Sequence, residues 1–213
     1  MKDLSDYRQS YEKSELEDTG LPDNPIHLFA KWFQETEQLA NDIEANAMTI
    51  STVGIDGFPK SRVVLLKQFM EQGFVFYTNY HSDKGQAIAK NPKVCLSFFW
   101  PSLERQIIIQ GIAEKVAAET SDLYFDSRPE GSKLGALASN QSEIVPSREF
   151  LEHKLANLEH EYDGRNIARP EHWGGYLVVP ESIEFWQGRA NRLHDRIIYK
   201  ADGSLWIKNR LSP

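Results

Sequence analysis

Apolar residues along this chain follow two different spacings, and the spacing changes at Met48. Before it, Asn24-Pro25 supplies an N-cap and a proline for a first helical turn, and apolar residues then recur every three or four positions. We expect an amphipathic helix that starts there and ends near Asn46. The preceding residues, 1–23, are polar and contain a glycine and a proline, so they predict a flexible N-terminal arm.

From Met48 onward the apolar residues form short runs rich in β-branched and aromatic side chains, separated by glycines and by Asn91-Pro92. These runs predict strands over 48–53, 61–69, 74–78, 94–100, 105–116, 175–179, 183–186, 193–199 and 205–208. Asp202-Gly203 has the composition of a hairpin turn before the last strand. Because many of the breaks are of hairpin length, we expect an antiparallel β-barrel.

Four further helices are expected, over 83–90, 120–127, 133–139 and 148–161, with Ser82 as the N-cap of the first. The last of them carries Phe150, Leu151, Leu155 and Leu158 on one side, so it should pack against the barrel. A mainly β fold with flanking helices, in a single domain over 24–213, accounts for the whole pattern.

The composition of the chain limits the classes of ligand and partner that we expect it to bind. The chain has 213 residues and a net charge of −7, so it has no excess of Lys and Arg to neutralise a nucleic acid, and local positive clusters point to small anions. Cys95, the single cysteine, lies in an apolar run that predicts a buried, inert thiol. The first residues lack an apolar signal segment, and no apolar run approaches the roughly 18 residues of a membrane span. We therefore expect a cytoplasmic protein without membrane contacts.

Three basic residues near the C-terminus form the most informative local pattern. If the strand over 193–199 extends back to Arg192, then Arg192, His194 and Arg196 lie at i, i+2 and i+4 on one face. Two guanidiniums beside an imidazole repel one another, so this arrangement predicts a pocket for an anion or an electron-rich ring. A solvated basic edge strand is the alternative.

Two further pairs of residues suggest anion binding. Arg62 and Lys67 stand at opposite ends of an apolar strand core, and their five-residue spacing puts them on opposite faces of a regular strand. Either they contact different parts of a long ligand, or one of them only caps the strand. Ser82 and Lys84 open a short helix, where backbone N–H groups and a cation suit a phosphate.

A second set of candidate phosphate ligands has four-residue spacing: Tyr124, Arg128 and Ser132. A phenol, a guanidinium and a hydroxyl suit a phosphate, whereas capping of a helix end by Arg128 is the alternative. The amides of Gln106 and Gln141 suit the edge of a heterocycle. No spacing of histidines or cysteines favours a metal ion, and we expect none.

Several segments, taken together and in order, resemble the motif series of the pyridoxine/pyridoxamine 5′-phosphate oxidase family. They are Arg62-Val-Val-Leu-Leu-Lys67, Phe76-Tyr-Thr-Asn79, Leu103-Glu-Arg-Gln106, Ser127-Arg-Pro129, Asn140-Gln-Ser142, Phe185-Trp-Gln-Gly188 and Arg192-Leu-His-Asp-Arg196. The resemblance implies an FMN-binding split β-barrel and a homodimer. It also implies oxidation of pyridoxine or pyridoxamine 5′-phosphate to pyridoxal 5′-phosphate, with O2 as acceptor and H2O2 as by-product.

The same resemblance implies site residues, position by position. FMN contacts would be Arg62, Val63, Val64, Leu65, Leu66, Lys67, Tyr77, Thr78, Lys84, Gln106, Gln141, Ser142, Trp186 and Arg196. Substrate contacts would be Lys67, Tyr124, Arg128, Ser132, Arg192 and His194, with Arg8 and Tyr11 able to cover the site. Arg192 and His194 are the candidates for assisting proton removal at the reacting carbon.

One position departs from the family pattern. Asp83 stands where the family usually has a basic residue, before the lysine of a Ser-x-Lys motif. Facing inward, its carboxylate would repel a flavin phosphate by on the order of 1 to 4 kcal/mol at about 4 Å. Facing solvent, an aspartate in a first helical turn is favourable.

Two rival functions remain open. The first is another FMN oxidoreductase on the same scaffold, which would have no need of the phosphate ligands around Arg128. The second is a protein that holds FMN or pyridoxal phosphate without turnover, and the presence of Arg192 and His194 argues against it.

Overall fold

The computed structural model describes residues 2–7, 9–40 and 43–213. The helices in this part of the chain are α1 (Pro25–Leu39), α2 (Asp83–Lys90), α3 (Ala118–Asp126), α4 (Glu130–Ala138) and α5 (Arg148–Glu161). The strands are β1 (Ala47–Val53), β2 (Pro59–Leu65), β3 (Gln68–Met70), β4 (Gly73–Asn79), β5 (Lys93–Trp100), β6 (Arg105–Lys115), β7 (Trp173–Gln187), β8 (Asp195–Asp202) and β9 (Leu205–Arg210).

These strands form one sheet in the order β2-β1-β5-β6-β7-β4-β3, with β8 paired to β7 and β9 paired to β8. The pairings of β3 with β4, β4 with β7, β7 with β8, and β8 with β9 are antiparallel. The predicted fold class, an antiparallel sheet with flanking helices, is confirmed.

The long strand β7 replaces two strands predicted on either side of Pro180. Its residues up to Val178 pair with β4, and its residues from Ser182 onward pair with β8. Pro180 lies between these two sets of pairs, where neither partner strand needs the N–H group that proline lacks. The proline therefore marks a change of neighbour and does not end the strand.

The described residues divide into two compact units. The first consists of residues 1–50, 95–111 and 180–213, and the second of residues 51–94 and 112–179. The single domain expected over 24–213, preceded by an arm over 1–23, stays a prediction.

The first unit has an aromatic core beneath α1. Phe29 is fully buried and meets Phe98 at a ring-centroid distance of 5.2 Å, while Trp32 meets Phe185 edge-on at 5.3 Å. The helix ends at Leu39, before the predicted end near residue 46, and the backbone N–H of its C-cap residue, Ala40, donates to the Thr36 carbonyl at 3.0 Å.

The second unit has a core on β4 and a smaller cluster among its helices. Phe125, Leu134, Ile167 and Trp173 form that cluster, and leucines of α5 pack against it. The prediction for α5 was only partly right, because Phe150 is 47% exposed and the packing leucines meet this helical cluster. Cys95, in the first unit, is half-buried, and burial raises the pKa of its thiol.

Candidate active site

The second unit contains a cavity of about 940 Å³ between the end of β2, β4, the start of α2 and the helices α3 and α4. Thirteen of the predicted site residues line it: Arg62, Val63, Val64, Leu65, Lys67, Tyr77, Thr78, Lys84, Tyr124, Arg128, Ser132, Gln141 and Ser142. The other lining residues are Asn79, Asp83, Pro129, Gly135, Ala136, Ser139 and Trp173. The cavity thus gathers residues that are up to 111 positions apart, from Arg62 to Trp173.

A break between two strands brings Arg62 and Lys67 into the same cavity. β2 ends at Leu65 and β3 begins at Gln68, and between them the Lys67 backbone N–H donates to the Val75 carbonyl at 2.8 Å. The alternation of faces along a regular strand therefore does not apply across this break. Leu66, which was predicted to contact FMN, is only 4% exposed and does not appear among the lining residues.

Lys84 lies at the bottom of one side of this cavity, with 7% exposure. Its Nζ donates to Thr78 Oγ1 at 2.9 Å, to Ser82 Oγ at 3.1 Å and to Gln141 Oε1 at 2.6 Å. Burial, and then repulsion from Arg62, lowers the pKa of Lys84 to about 8. In the part of the chain that the structure describes, no carboxylate forms an ion pair with this ammonium group.

The start of α2 fixes Lys84 in place. Ser82 is the N-cap, as predicted, and its Oγ accepts a hydrogen bond from the Gly85 N–H at 3.3 Å. A Cβ added to Gly85 would lie 2.2 Å from the Tyr80 carbonyl oxygen, so only glycine allows the helix to start this close to β4. Ser142, with φ of 76°, accepts a hydrogen bond from the Asp83 N–H at 3.3 Å.

Arg62 and Asp83 set the charge around Lys84. Arg62 Nη1 donates to Thr52 Oγ1 at 2.8 Å and to the Lys60 carbonyl at 2.9 Å, both neutral acceptors. Burial lowers the pKa of Arg62, and the charge of Asp83 opposes that shift. The Asp83 carboxylate is exposed, lines the cavity, and acts electrostatically on both cations. The two positive groups are thus only partly balanced.

Stacked aromatic rings form another wall of the cavity. Tyr124 stacks on Tyr77 with a centroid distance of 3.9 Å and an interplanar angle of 18°, and Trp173 is nearly parallel to Tyr124 at 6.1 Å. Trp173 was not among the predicted site residues. The fold requires the two glycines that follow it, since a Cβ at either Gly174 or Gly175 would lie within 2.8 Å of a tyrosine side chain, but they do not mark Trp173 as a site residue.

Arg128 is a further cation of this cavity that forms no ion pair with a described residue. Its guanidinium lies 4.6 Å from the centre of the Trp173 ring, a cation–π distance. The buried Nη1 has no hydrogen-bond partner among the described residues, and burial lowers the pKa of the group. Although a helix break separates Tyr124 from Ser132, both line the cavity together with Arg128. An unsatisfied buried donor of this kind is available to an anionic acceptor.

The predicted strand face with Arg192, His194 and Arg196 is wrong. β8 begins only at Asp195, and the residues before it form a short 3-10 turn. Asn191 and Arg192 have φ values of 57° and 61°, which a continuous strand excludes. Arg192 is exposed, and of the three only Arg196 lies in β8.

His194 instead belongs to an aromatic group of the first unit. Its ring centroid lies 4.7 Å from that of Trp186 and 5.8 Å from that of Tyr11, and Tyr11 meets Trp186 edge-on. His194 Nδ1 accepts a hydrogen bond from the Arg189 backbone N–H at 3.1 Å. Burial, and then the charge of Arg192, lowers the pKa of His194. The structure thus brings together three predicted ligands at this place.

The remaining predicted residues have other surroundings. Arg196 Nε donates to Glu184 Oε1 at 2.8 Å and its Nη1 to the Ser212 carbonyl at 2.8 Å. Gln106 is half-buried in β6 of the first unit. Arg8 lies outside the described residues. Within the described chain, no three His, Cys, Asp or Glu side chains are grouped to hold a metal ion, and no helix has the length and apolar character needed to cross a membrane.

Comparison with known proteins gives two family matches. Residues 34–161 match the family described as "Pyridoxamine 5′-phosphate oxidase", and residues 173–213 match the "Pyridoxine 5′-phosphate oxidase C-terminal dimerisation region". Proteins named pyridoxine/pyridoxamine 5′-phosphate oxidase from Flavobacterium johnsoniae and Flavobacterium psychrophilum are each 62% identical to this chain, with 100% of both sequences covered. A protein of the same name from Gloeothece citriformis is 51% identical, over 99% of this chain and 98% of its own.

Two solved structures are similar to the whole fold. PhzG from Burkholderia lata, crystallised with tetrahydrophenazine-1-carboxylic acid, has a TM-score of 0.89 and 28% identity, covering 96% of this chain and 100% of its own. A pyridoxamine 5′-phosphate oxidase-related, FMN-binding protein from Nostoc punctiforme has a TM-score of 0.68 and 14% identity, covering 88% and 96%. These similarities confirm the predicted split-barrel fold.

Proposed function

Because the chain belongs to the pyridoxine/pyridoxamine 5′-phosphate oxidase family, we propose that it oxidises pyridoxine 5′-phosphate and pyridoxamine 5′-phosphate to pyridoxal 5′-phosphate, with FMN as cofactor. The alcohol loses two electrons and two protons to become the aldehyde, and O2 takes them up as H2O2. The amine loses the same number, and the resulting imine adds water and releases ammonia. This reaction supplies the cofactor form of vitamin B6.

The observation that carries the proposal is that two cations of one cavity, Lys84 and Arg128, form no ion pair among the described residues. Lys84 is buried among neutral acceptors, and Arg128 has a buried Nη1 without a partner in the described chain. Buried charges are normally paired and hydrogen-bonded in folded proteins. Two phosphate groups, one from the flavin and one from the substrate, would supply the missing negative charge at both places.

The residues on the Lys84 side fit the phosphate end of FMN. Lys84 and Arg62 supply positive charge, and the hydroxyl of Ser142 and the amide of Gln141 lie in the same cavity. Tyr77 offers an aromatic face. Bound FMN supplies the acceptor for a hydride from the substrate carbon. We also propose that Gln106, Trp186 and Arg196 contact FMN, as the family resemblance implies.

The residues around Arg128 fit the phosphate of the substrate. We assign Arg128, Tyr124, Ser132 and Lys67 to this group, because a guanidinium, an ammonium and two hydroxyls supply the donors that a phosphate dianion accepts. A clamp of this kind fixes one end of the substrate, which restricts the position of the reacting carbon at the other end.

Arg192 and His194 act on the reacting end of the substrate in this proposal. His194 Nδ1 accepts from the Arg189 N–H, so the proton of the neutral ring is on Nε2. The lowered pKa keeps the ring neutral at neutral pH. His194 then serves as a hydrogen-bond donor through Nε2, and Tyr11 covers the same side.

We also propose a homodimer. The match of residues 173–213 to a family dimerisation region supports it. Leu205 and Ile207 share one face of β9 and are 72% and 50% exposed, as expected for apolar side chains that a second subunit covers. Sedimentation of the wild type and of a Leu205→Glu variant tests the assembly, and a wild type that sediments as a monomer contradicts it.

The reaction is tested with purified protein reconstituted with FMN. Under air, each phosphorylated substrate should yield pyridoxal 5′-phosphate and an equal amount of H2O2, and pyridoxamine without a phosphate should react at least tenfold more slowly. FMN binding without any aldehyde would favour a binding protein. Equal rates with and without the phosphate would instead favour an oxidoreductase with a different substrate.

A further inference from the structure

An ion-pair network in the first unit centres on Asp195, whose side chain is 15% exposed. Its Oδ2 accepts from Arg189 Nη1 at 2.9 Å and from the Leu16 backbone N–H at 3.1 Å, and its Oδ1 accepts from Arg210 Nη1 at 2.8 Å. Burial raises the pKa of Asp195, but these hydrogen bonds outweigh it, and the pKa is lowered. Asp195 is therefore ionised, and both of its carboxylate oxygens accept hydrogen bonds.

The two arginines extend this network to the segment before α1. Arg189 Nη2 pairs with Glu15 at 2.9 Å. Arg210 Nε donates to Asp18 at 3.0 Å, and its Nη2 donates to the Leu16 carbonyl at 2.8 Å. Residues 15–18 are thus held from both sides by groups that meet at Asp195.

A strained turn lies between Arg189 and Asp195, two members of this network. Asn191 and Arg192 are two consecutive non-glycine residues with positive φ. Such conformations are unfavourable for side chains other than glycine and persist only where the surroundings fix them. Tyr11 packs closely on the start of this turn, since a Cβ on Gly188 would lie 2.8 Å from the Tyr11 Cβ.

One residue links the network to the imidazole. Arg189 donates its backbone N–H to His194 Nδ1 and its guanidinium to Asp195, the residue that follows His194. If Arg189 moved, the His194 ring would therefore lose the hydrogen bond that fixes both its tautomer and its orientation. The carboxylates of Asp195 and Glu15 both hold the Arg189 guanidinium, and Asp195 is the less exposed of the two.

We propose that Asp195 is a positioning residue, which holds Arg189 so that His194 keeps its Nε2–H tautomer and the 11–18 segment stays against the 188–194 turn. This inference rests on the proposed function for its effect on rate, but not for its structural part. Nothing in it requires Asp195 to touch the substrate.

The test uses the FMN-loaded full-length enzyme and the isosteric variant Asp195→Asn. We expect kcat/KM for pyridoxamine 5′-phosphate to fall about tenfold or more, because a displaced catalytic group loses rate steeply. In a His194→Ala background the same substitution should change kcat/KM less than twofold, since the group through which Asp195 acts is gone. Asp18→Asn is the matched control, because it removes a carboxylate from Arg210 and leaves Arg189 and His194 alone; its kcat/KM should stay within twofold.

Two measurements do not depend on turnover. Nitrogen NMR of the imidazoles, with the His194 signals identified by their loss in His194→Ala, should show the Nε2–H tautomer in the wild type and a mixture in Asp195→Asn. Trypsin should cleave at Lys13 several times faster in Asp195→Asn than in the wild type or in Asp18→Asn.

The outcomes separate this inference from the proposed function. An inactive wild type with the expected NMR and proteolysis changes overturns the function and leaves the positioning role standing. Equal losses in both backgrounds, or an unchanged tautomer, overturn the positioning role while the enzyme remains an oxidase. If Asp195→Asn does not fold, Arg189→Gln removes the same ion pair from the other side, and the same measurements apply.

Discussion

Positive charge is balanced differently in the cavity of the second unit and in the ion-pair network of the first unit. In the first unit, Arg105 pairs with Glu35, and Arg189 and Arg210 share Asp195. In the second unit, Lys84 has only neutral acceptors, and Arg128 has an unsatisfied Nη1 among the described residues. In the proposed function, the cations of the cavity bind ligands that bring their own negative charge, whereas the paired cations of the first unit hold segments of the chain together. Counting arginines in the sequence does not separate these roles.

The strongest way to break this comparison is to replace Arg128. Arg128→Gln should raise KM for pyridoxamine 5′-phosphate about 100-fold, because a charge-assisted pair of hydrogen bonds to phosphate contributes roughly 3 kcal/mol. Steady-state kinetics under air measure the change. Arg148→Gln is the control, since Arg148 is 89% exposed and pairs only with Glu152. A KM within threefold of the wild type for Arg128→Gln would show that the substrate phosphate does not bind at this end of the cavity.

Replacing Lys84 should have opposite effects on FMN binding and on the stability of the apoprotein. Lys84→Met should weaken FMN binding about 30-fold, through loss of an ammonium–phosphate contact of about 2 kcal/mol. The same substitution should stabilise the apoprotein, because it removes a buried charge that forms no ion pair with the described residues. Flavin fluorescence titration gives the first quantity and urea unfolding of the apoprotein the second. A variant that loses both FMN affinity and stability would show that Lys84 is structural.

The lowered pKa of Lys84 also predicts the direction of pH effects. A folded pKa of about 8, below the usual 10.5, means that the unfolded chain binds more protons between these values. The contribution of this group to apoprotein stability therefore rises with pH across that window. FMN affinity should fall over the same range as the ammonium loses its proton, and Lys84→Arg should flatten this fall. Titrations at several pH values check both slopes.

Much of the architecture and of the cavity could be predicted from the sequence. The apolar spacing located the helix at Asp83–Lys90 and its Ser82 cap, and the family resemblance supplied thirteen of the residues that line the cavity. The turn at Asn191 and Arg192, which replaces the predicted strand face, could not be predicted, because the backbone conformation there depends on contacts with residues far away in the chain.

Trp173 was missed for a related reason. A tryptophan before two glycines looks like an ordinary core residue, and only the folded chain places it beside Arg128. Trp173→Leu removes the cation–π contact, which contributes roughly 1 kcal/mol, so KM for the substrate should rise about fivefold. Trp206→Leu, in the first unit, is the control. Should kcat fall with KM unchanged, the ring would act on the chemistry and not on Arg128.

The substitution of Asp83 has the smallest expected effect of these tests. Asp83 is the one carboxylate among the residues that line the cavity. It offsets part of the charge of Arg62 and Lys84, and it is exposed, so solvent screens its effect. Asp83→Asn should therefore tighten FMN binding only about twofold to fourfold, and this gain should shrink at high salt. Asp56→Asn, which alters a nearby carboxylate paired with Lys60, should leave FMN affinity unchanged. Looser binding in Asp83→Asn would instead mean that the carboxylate orients the two cations, so that the positive groups of the cavity also depend on a partner within the chain.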